Sequence, residues 1–241
     1  MRQSNLYIVL YSAAITIVCG GLLAFAATSL KDAQDANIAM EQKKNILASV
    51  MELTDETDIV AEYNKVKSFV IDYEGNVVPG KTVEQVIVAV EYKKPSKERL
   101  LPVYEFRSAA DPNKIEYAVL PVYGYGLWNT IWGFVAVRSD FNTIQGIKFA
   151  APGETPGLGK RVEEDEIQTR FKGKTIFEKG VLVSVKFQKG EGNDWSKDNH
   201  KVDGLSSATL TAKGVNNMLD DYLTCYLNYL KKNSSGTAIN Q

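Results

Sequence analysis

An uncharged run near the amino terminus is the feature that most constrains this chain. Residues 6–30 contain no Asp, Glu, Lys or Arg. At about 1.5 Å per residue, a helix of this length spans the ~30 Å hydrocarbon core of a bilayer with some tilt. We therefore predict a transmembrane helix over residues 6–30. A cleaved signal peptide is the alternative, because Ala24, Ala26 and Ala27 offer small residues for a cleavage site.

The charges that flank this run predict its orientation. Arg2 and the amino terminus precede the run, whereas Lys31, Asp32 and Asp35 follow it. The positive-inside rule then places residues 1–5 in the cytoplasm and the bulk of the chain on the other side of the membrane.

The overall composition is that of a globular protein rather than a polytopic membrane protein. Hydrophobic residues make up 44% and charged residues 24%, and 28 basic against 29 acidic residues give a net charge of -1. This balance gives no support to a nucleic-acid partner. With two cysteines and one histidine, the chain lacks the residues for a Cys/His zinc site, so we predict no metal site. We expect that histidine, His200, to lie in a solvated loop.

The apolar pattern predicts an α+β fold with a largely antiparallel sheet and flanking helices. Helical patterns over 34–53 and 58–67 predict a helical stalk over 31–68. A domain over 69–232 follows, with a short helical pattern at 163–171 and a final one at 208–231, and 233–241 is a predicted flexible tail. Strand patterns cover residues 69–73, 76–78, 83–92, 101–106, 115–122, 131–137, 143–149 and 181–187.

A polar stretch at the start of the final helical pattern is the first candidate site. Residues 203–211 have the sequence Asp-Gly-Leu-Ser-Ser-Ala-Thr-Leu-Thr. One interpretation is a helix N-cap, in which Ser206 or Ser207 accepts hydrogen bonds from free amides of the first turn. The other is an anion site, because the free amides and the positive dipole end of a helix suit a phosphate. Thr209 would then lie in the first turn.

The second candidate site combines aromatic residues with glycines. Residues 123–128 are Tyr-Gly-Tyr-Gly-Leu-Trp, residues 153–159 are Gly-Glu-Thr-Pro-Gly-Leu-Gly, and residues 172–174 are Lys-Gly-Lys. Core packing and turns are one explanation of such residues. A flat ligand slot is the other, since glycine lets the backbone approach a ligand closely.

In their order and spacing, these stretches resemble the C subunit family of the sodium-translocating NADH:quinone oxidoreductase, a family with an FMN-binding domain. Residues 203–209 resemble its flavinylation motif, Asp-Gly-x-Ser-Gly-Ala-Thr, whose last threonine is joined to FMN by a phosphoester bond that a separate flavin transferase makes. The resemblance implies covalent FMN on Thr209 and an FMN-binding domain over 69–232. Two departures are Ser207, where the family has Gly, and residues 151–153, which lack the family's His.

The resemblance also implies the residues of the site. Asp203 and Gly204 would serve recognition by the transferase, Leu158 would cover a ring face, and Glu154 or Thr155 would hydrogen-bond a ring edge. No catalytic residue is implied. Without a Gly-x-Gly-x-x-Gly fingerprint, we expect no NADH site on this chain. The cofactor-binding residues implied beside Thr209 are Ser206, Ser207, Ala208, Leu210, Thr211, Glu154, Thr155, Gly157, Leu158 and Gly159.

The function that the resemblance implies is that of a redox subunit of a bacterial inner-membrane translocase. FMN would relay electrons toward quinone, while other subunits of the complex move sodium. The implied partners are those subunits, a flavin transferase during maturation and membrane lipid, with the bulk of the chain on the periplasmic side. Two alternatives stay open: the G subunit of the related ion-translocating ferredoxin oxidoreductase, and a flavin-free, membrane-anchored binding or structural domain.

Overall fold

The computed structural model describes residues 4–234, which fall into two compact units divided between Gln42 and Lys43. The first unit belongs to one continuous helix, α1 (Asn5–Ala48), which starts where the Ser4 hydroxyl accepts a hydrogen bond from the Tyr7 amide at 3.2 Å. No Gly or Pro interrupts residues 31–48, so the helix continues past the apolar run.

The apolar part of α1 has the length and composition of a membrane-crossing helix. Within residues 4–234, α1 is the one helix that meets this test, and none of its apolar window is buried. This exposure argues against a core helix of a soluble protein, which would be mostly buried. It does not distinguish a membrane anchor from a signal sequence, which would pass the same test of length and composition.

The second unit is built on a five-stranded sheet whose strands follow one another in sequence order. Each neighbouring pair is antiparallel. In the longest pair the register runs from Tyr117 opposite Arg138 to Tyr125 opposite Thr130, so the turn at residues 126–129 closes this hairpin. The strands are β1 (Lys67–Ile71), β2 (Leu101–Arg107), β3 (Ile115–Tyr125), β4 (Thr130–Arg138) and β5 (Ile144–Ala150).

Shorter elements surround this sheet. The remaining strands form an antiparallel pair, β6 with β7, and a parallel pair, β8 with β9. Their bounds are β6 (Phe177–Glu178), β7 (Val181–Leu182), β8 (Lys186–Phe187) and β9 (Lys201–Val202). The other helices are α2 (Ile59–Tyr63), α3 (Val88–Glu91), α4 (Asp165–Thr169), α5 (Thr209–Cys225) and α6 (Leu227–Asn233), with 3-10 turns at Val83–Gln85, Ser96–Glu98 and Gly159–Glu163.

The predicted α+β class with a largely antiparallel sheet is confirmed, but the predicted strand over 83–92 is wrong. This segment forms a 3-10 turn followed by α3. Its turn starts with a capping box between Thr82 and Gln85, and the Glu91 carboxylate accepts a hydrogen bond from the Leu100 amide at 2.8 Å. These local bonds outweigh the β propensity of its valines and isoleucine.

Two further elements are divided where the sequence predicts one. The predicted strand over 181–187 is split into β7 and β8, because Ser184 between them has a φ of 61°, in the left-handed region. The predicted final helix is split into α5 and α6 at Tyr226. The hydroxyl of this fully buried tyrosine donates to the Pro102 carbonyl at 2.8 Å, which fixes the junction against the sheet.

The sheet buries residues on both faces. Leu120 and Val135 belong to the larger apolar cluster, which also contains the buried side chains of α5. The neighbouring residues Val119 and Ala136 belong to a second cluster together with Ile46 from the carboxyl end of α1. Because successive side chains of a strand point to opposite faces, α5 and residues 46–50 cover opposite sides of β3 and β4.

Close packing between α5 and β3 positions the start of the helix. A Cβ atom on Gly214 of α5 would overlap the backbone carbonyl oxygen of Tyr125, the last residue of β3. The absence of a side chain at Gly214 therefore lets the second turn of α5 approach the end of β3, where the chain enters the turn at residues 126–129.

We expect the substitution Gly214→Ala to lower the free energy of unfolding by about 1–3 kcal/mol, because the added methyl group must displace backbone atoms. Helix propensity alone predicts the opposite sign, a gain of up to about 1 kcal/mol. Urea unfolding of the detergent-solubilised chain would measure the change. Lys213→Ala, at the exposed neighbouring position, is the matched control and should stay within about 0.5 kcal/mol of wild type. A Gly214→Ala chain more stable than wild type would contradict the close contact.

Candidate functional site

The two candidate stretches meet at one pocket of about 280 Å³. Three segments line it: the turn between β3 and β4, the loop that leads into the Gly159–Glu163 turn, and the start of α5. The lining residues are Leu127, Trp128, Glu154, Thr155, Leu158, Gly159, Ser207, Ala208, Thr209, Leu210 and Thr211.

Most of the residues implied as a site by the sequence line this pocket, but four do not. Gly157 and Ser206 belong to the same segments without lining it, and Asp203 and Gly204 lie outside it. Leu127 and Trp128 lie in the candidate stretch 123–128, but the resemblance gave neither of them a site role. Their Gly-Leu-Trp sequence was the available signal, and both side chains are exposed, Trp128 at 72%.

The carboxylate of Glu154 connects the three segments. The side chain is buried, at 3% exposure. Its Oε1 accepts hydrogen bonds from the backbone amides of Trp128 at 2.8 Å and Asn129 at 3.4 Å, and its Oε2 accepts one from the Thr211 hydroxyl at 2.6 Å. Burial acts to raise the pKa of Glu154, but these hydrogen bonds outweigh it and leave the pKa below its usual value. The group is therefore ionised at neutral pH.

Glycines on both sides leave room for this carboxylate. A Cβ atom on Gly126 would overlap Oε1 of Glu154, and a Cβ atom on Gly159 would overlap Oε2 and the Thr211 hydroxyl. Gly126 and Gly159 thus have a packing reason, since they let the backbone close around a buried charge.

The start of α5 has the geometry of an anion site rather than of a serine-capped helix. Its N-cap residue is Ala208, which makes no side-chain cap, so the N-cap interpretation of Ser206 or Ser207 is wrong. Among the residues that the structure describes, none accepts a hydrogen bond from the backbone amides of Thr209, Leu210 or Thr211. Free amides at a helix start attract negative charge. Thr209 is the first residue of the helix and is exposed.

Ser207 adopts a backbone conformation that favours glycine. Its φ is 59°, in the left-handed region that costs an ordinary L-residue roughly 1–2 kcal/mol. This gives a physical reason for the glycine that stands at this position in the motif Asp-Gly-x-Ser-Gly-Ala-Thr. The serine keeps the same turn at an energetic cost.

An ionic cluster outside the pocket lining fixes the segment that leads into α5. This cluster was not predicted from the sequence. Arg161 pairs with Glu191 through two hydrogen bonds of 2.9 Å each. The other contacts of Glu191 are the Ser206 amide at 2.9 Å and Arg170 at 3.1 Å. The hydrogen bonds from Arg161, and then from the Ser206 amide, hold the pKa of Glu191 well below its usual range.

Asp203 and Gly204 take part in this support. The Arg170 guanidinium donates to the carbonyl of Gly204 at 2.7 Å and of Asp203 at 3.2 Å. The Asp203 carboxylate accepts from the amides of Gly192 at 2.7 Å and Asn193 at 3.1 Å. Both residues therefore shape the backbone before α5.

Lys174 and His200, which were also named from the sequence, make hydrogen bonds outside the pocket lining. Lys174 donates to the carbonyls of Trp195 at 2.6 Å and Asp198 at 2.5 Å. His200 is half-buried rather than solvated, with its Nδ1 2.7 Å from the Thr175 carbonyl oxygen. Between residues 4 and 234, no cluster of three or more His, Cys, Asp or Glu is arranged to hold a metal ion.

Comparison with known proteins places the chain in a family. The model of the FMN-binding domain matches residues 126–224, which include all three pocket segments. The C subunit of the Na(+)-translocating NADH-quinone reductase of Vibrio anguillarum is 31% identical over 92% of this chain and 90% of its own length. The corresponding protein of Neisseria meningitidis is 30% identical over 93% of each chain.

Solved structures agree with these relatives. The crystal structure of the C subunit from Parabacteroides distasonis has a TM-score of 0.71 and 30% identity, and covers 83% of this chain and 96% of that chain. The Shewanella oneidensis structure has a TM-score of 0.67 and 26% identity, over 80% and 95% respectively. The chain therefore belongs to the C subunit family of the Na(+)-translocating NADH-quinone reductase, a translocase complex, and carries an FMN-binding domain.

Proposed function

We propose that this chain holds FMN in the pocket between residues 126–129, 154–159 and 207–211, joined to Thr209 by a phosphoester bond, and relays electrons toward quinone. The observation that carries this proposal is the convergence of three distant segments on a pocket with an exposed threonine at its rim. The match to the FMN-binding domain supports FMN as the cofactor.

The chemistry of the pocket fits the two ends of FMN. Free amides at the start of α5 suit the phosphate, because they supply donors and the positive end of the helix dipole. The exposed side chains of Leu127, Leu158 and Leu210 suit a flat ring system. A volume of about 280 Å³ lies just below the ~300–1,000 Å³ typical of ligand sites, which fits a mononucleotide ring better than a dinucleotide.

FMN supplies the electron chemistry when bound, and the residues of the chain bind it, orient it and limit its contact with water. A covalent bond through the Thr209 hydroxyl would retain the cofactor on the periplasmic side, where free FMN is scarce. A flavin transferase would recognise residues 203–209, whose backbone Arg170 and Glu191 hold in place. The remaining partners would be other subunits of the complex, with lipid around α1.

The two alternatives make different predictions. A flavin-free binding domain would leave no fluorescent band after denaturing electrophoresis, whereas covalent flavin survives denaturation. The G subunit of the ferredoxin oxidoreductase would purify with a different set of subunits. The relatives from Vibrio anguillarum and Neisseria meningitidis are C subunits of the NADH-quinone reductase, which favours that complex.

We expect Thr209→Ala to abolish covalent flavin while the domain still folds, because the substitution removes the hydroxyl that forms the phosphoester bond. The chain would be co-expressed with a flavin transferase and its intact mass measured. Thr211→Ser is the matched control, since it keeps a buried hydroxyl two residues away and should keep the adduct. An FMN adduct that persists on the Thr209→Ala chain would exclude Thr209 as the acceptor.

The topology follows from the uncharged run and its flanking charges. Protease added to intact spheroplasts should digest the domain that follows α1, because the proposal places it on the periplasmic side. Inside-out vesicles are the control and should protect it. Protection in spheroplasts together with digestion in inside-out vesicles would reverse the orientation.

Leu158→Asp should change the absorption spectrum and the reduction potential of the flavin without removing it. Leu158 lines the pocket and is 40% exposed, so a carboxylate there would lie against the ring system. Redox titration of the purified, flavinylated chain would measure both quantities, with Leu158→Met as the apolar control. An unchanged spectrum and potential in the Leu158→Asp chain would place the ring elsewhere.

A further inference from the structure

Glu154 is the one ionisable side chain that lines the pocket within the described chain. No lysine or arginine lines it beside this carboxylate. The hydrogen-bond donors of Glu154 are two backbone amides, from Trp128 and Asn129, and one hydroxyl, from Thr211. All three donors are uncharged, so they stabilise the negative charge without cancelling it.

The carboxylate of Glu191, which accepts a hydrogen bond from the Ser206 amide, is held differently. Glu191, outside the pocket lining, is paired with the guanidinium groups of Arg161 and Arg170. The pocket itself therefore carries a fixed negative charge, whereas the support behind it is neutralised by cations. This charge is buried, so mobile ions screen it much less than a surface charge.

We propose that Glu154 is a positioning and tuning residue: it ties the three pocket segments together, and its negative charge lowers the reduction potential of flavin bound there. This inference rests on the proposed function, because it requires flavin in this pocket.

The sign of the shift in reduction potential is set by electrostatics. Reduction adds negative charge to the ring system, and a fixed carboxylate in the same pocket disfavours that charge. The positive dipole end of α5 opposes this effect, but it is present with and without the Glu154 charge, so it does not change the sign expected when that charge is removed. Because the reduced ring carries more negative charge, the carboxylate destabilises the reduced state more than the oxidised state. A lower potential makes the flavin a stronger electron donor to the next acceptor.

This role differs from a direct hydrogen bond between Glu154 and the edge of the ring. Both carboxylate oxygens already accept hydrogen bonds from protein donors, and the side chain is buried, at 3% exposure. Among the lining residues expected to meet the ring edge, Thr155 is the exposed one.

The test is the reduction potential of the full chain, purified in detergent after maturation by a flavin transferase. Glu154→Gln keeps the size and most of the hydrogen bonds but removes the charge. Its midpoint potential should rise, with roughly a tenfold increase in the ratio of reduced to oxidised flavin at a fixed ambient potential, about 59 mV for a one-electron couple. In-gel flavin fluorescence of each chain, measured first, reports attachment and so tests the proposed function separately.

Three further variants separate charge from structure. Thr211→Val removes the hydroxyl but keeps the carboxylate, and Glu154→Asp keeps the charge on a shorter side chain, so neither should raise the potential. Glu163→Gln removes a carboxylate that binds the Ala151 amide at 2.6 Å outside the pocket lining, so it should leave the potential unchanged.

The outcomes are distinct. A higher reduction potential in Glu154→Gln, without a higher potential in Thr211→Val, supports the proposal. An unchanged or lower potential in flavinylated Glu154→Gln overturns it, as do equal rises in Glu154→Gln and Thr211→Val, which would indicate a structural effect. If Glu154→Gln does not retain flavin, the Glu154→Asp chain tests the proposal instead. Its side chain is still charged, so a reduction potential above that of wild type would contradict the role of the charge. Wild type without covalent flavin would instead overturn the proposed function.

Discussion

The hydrogen bonds of the Glu154 carboxylate connect a hairpin turn, a glycine-rich loop and the first turn of a long helix. One oxygen binds the Trp128 and Asn129 amides, and the other binds the Thr211 hydroxyl 57 residues further along the chain. The bond to the Thr211 hydroxyl is buried, and a buried donor left unpaired costs about 1–3 kcal/mol. The relative positions of the three pocket segments therefore depend on this one carboxylate.

Two carboxylates near the start of α5 have different roles. Glu191 is neutralised by Arg161 and Arg170 and fixes the backbone that leads into the helix. Glu154 has only uncharged donors and leaves a net negative charge beside the proposed flavin. The same residue type thus has a structural role where cations surround it and an electrostatic role where they do not.

Part of this arrangement could be predicted from the sequence. Alternating apolar residues predicted the five strands of the sheet closely, and the stretches at 123–128, 153–159 and 203–211 identified most of the pocket lining. Residues 83–92 were predicted wrongly, because a capping box and the Glu91 hydrogen bond override β-branched propensity. Glu191 was missed because it lies in a polar loop, and its partners are apparent only after the chain folds.

The most direct test is a crystal structure of the chain after maturation with a flavin transferase. Our account predicts the flavin phosphate on the Thr209 hydroxyl, next to the free amides of α5, and the ring against Leu127 and Leu158. Glu154 should still bind the Trp128 amide and the Thr211 hydroxyl. A ring bound outside this pocket, or a Glu154 side chain released from both partners to bind the ring, would contradict it.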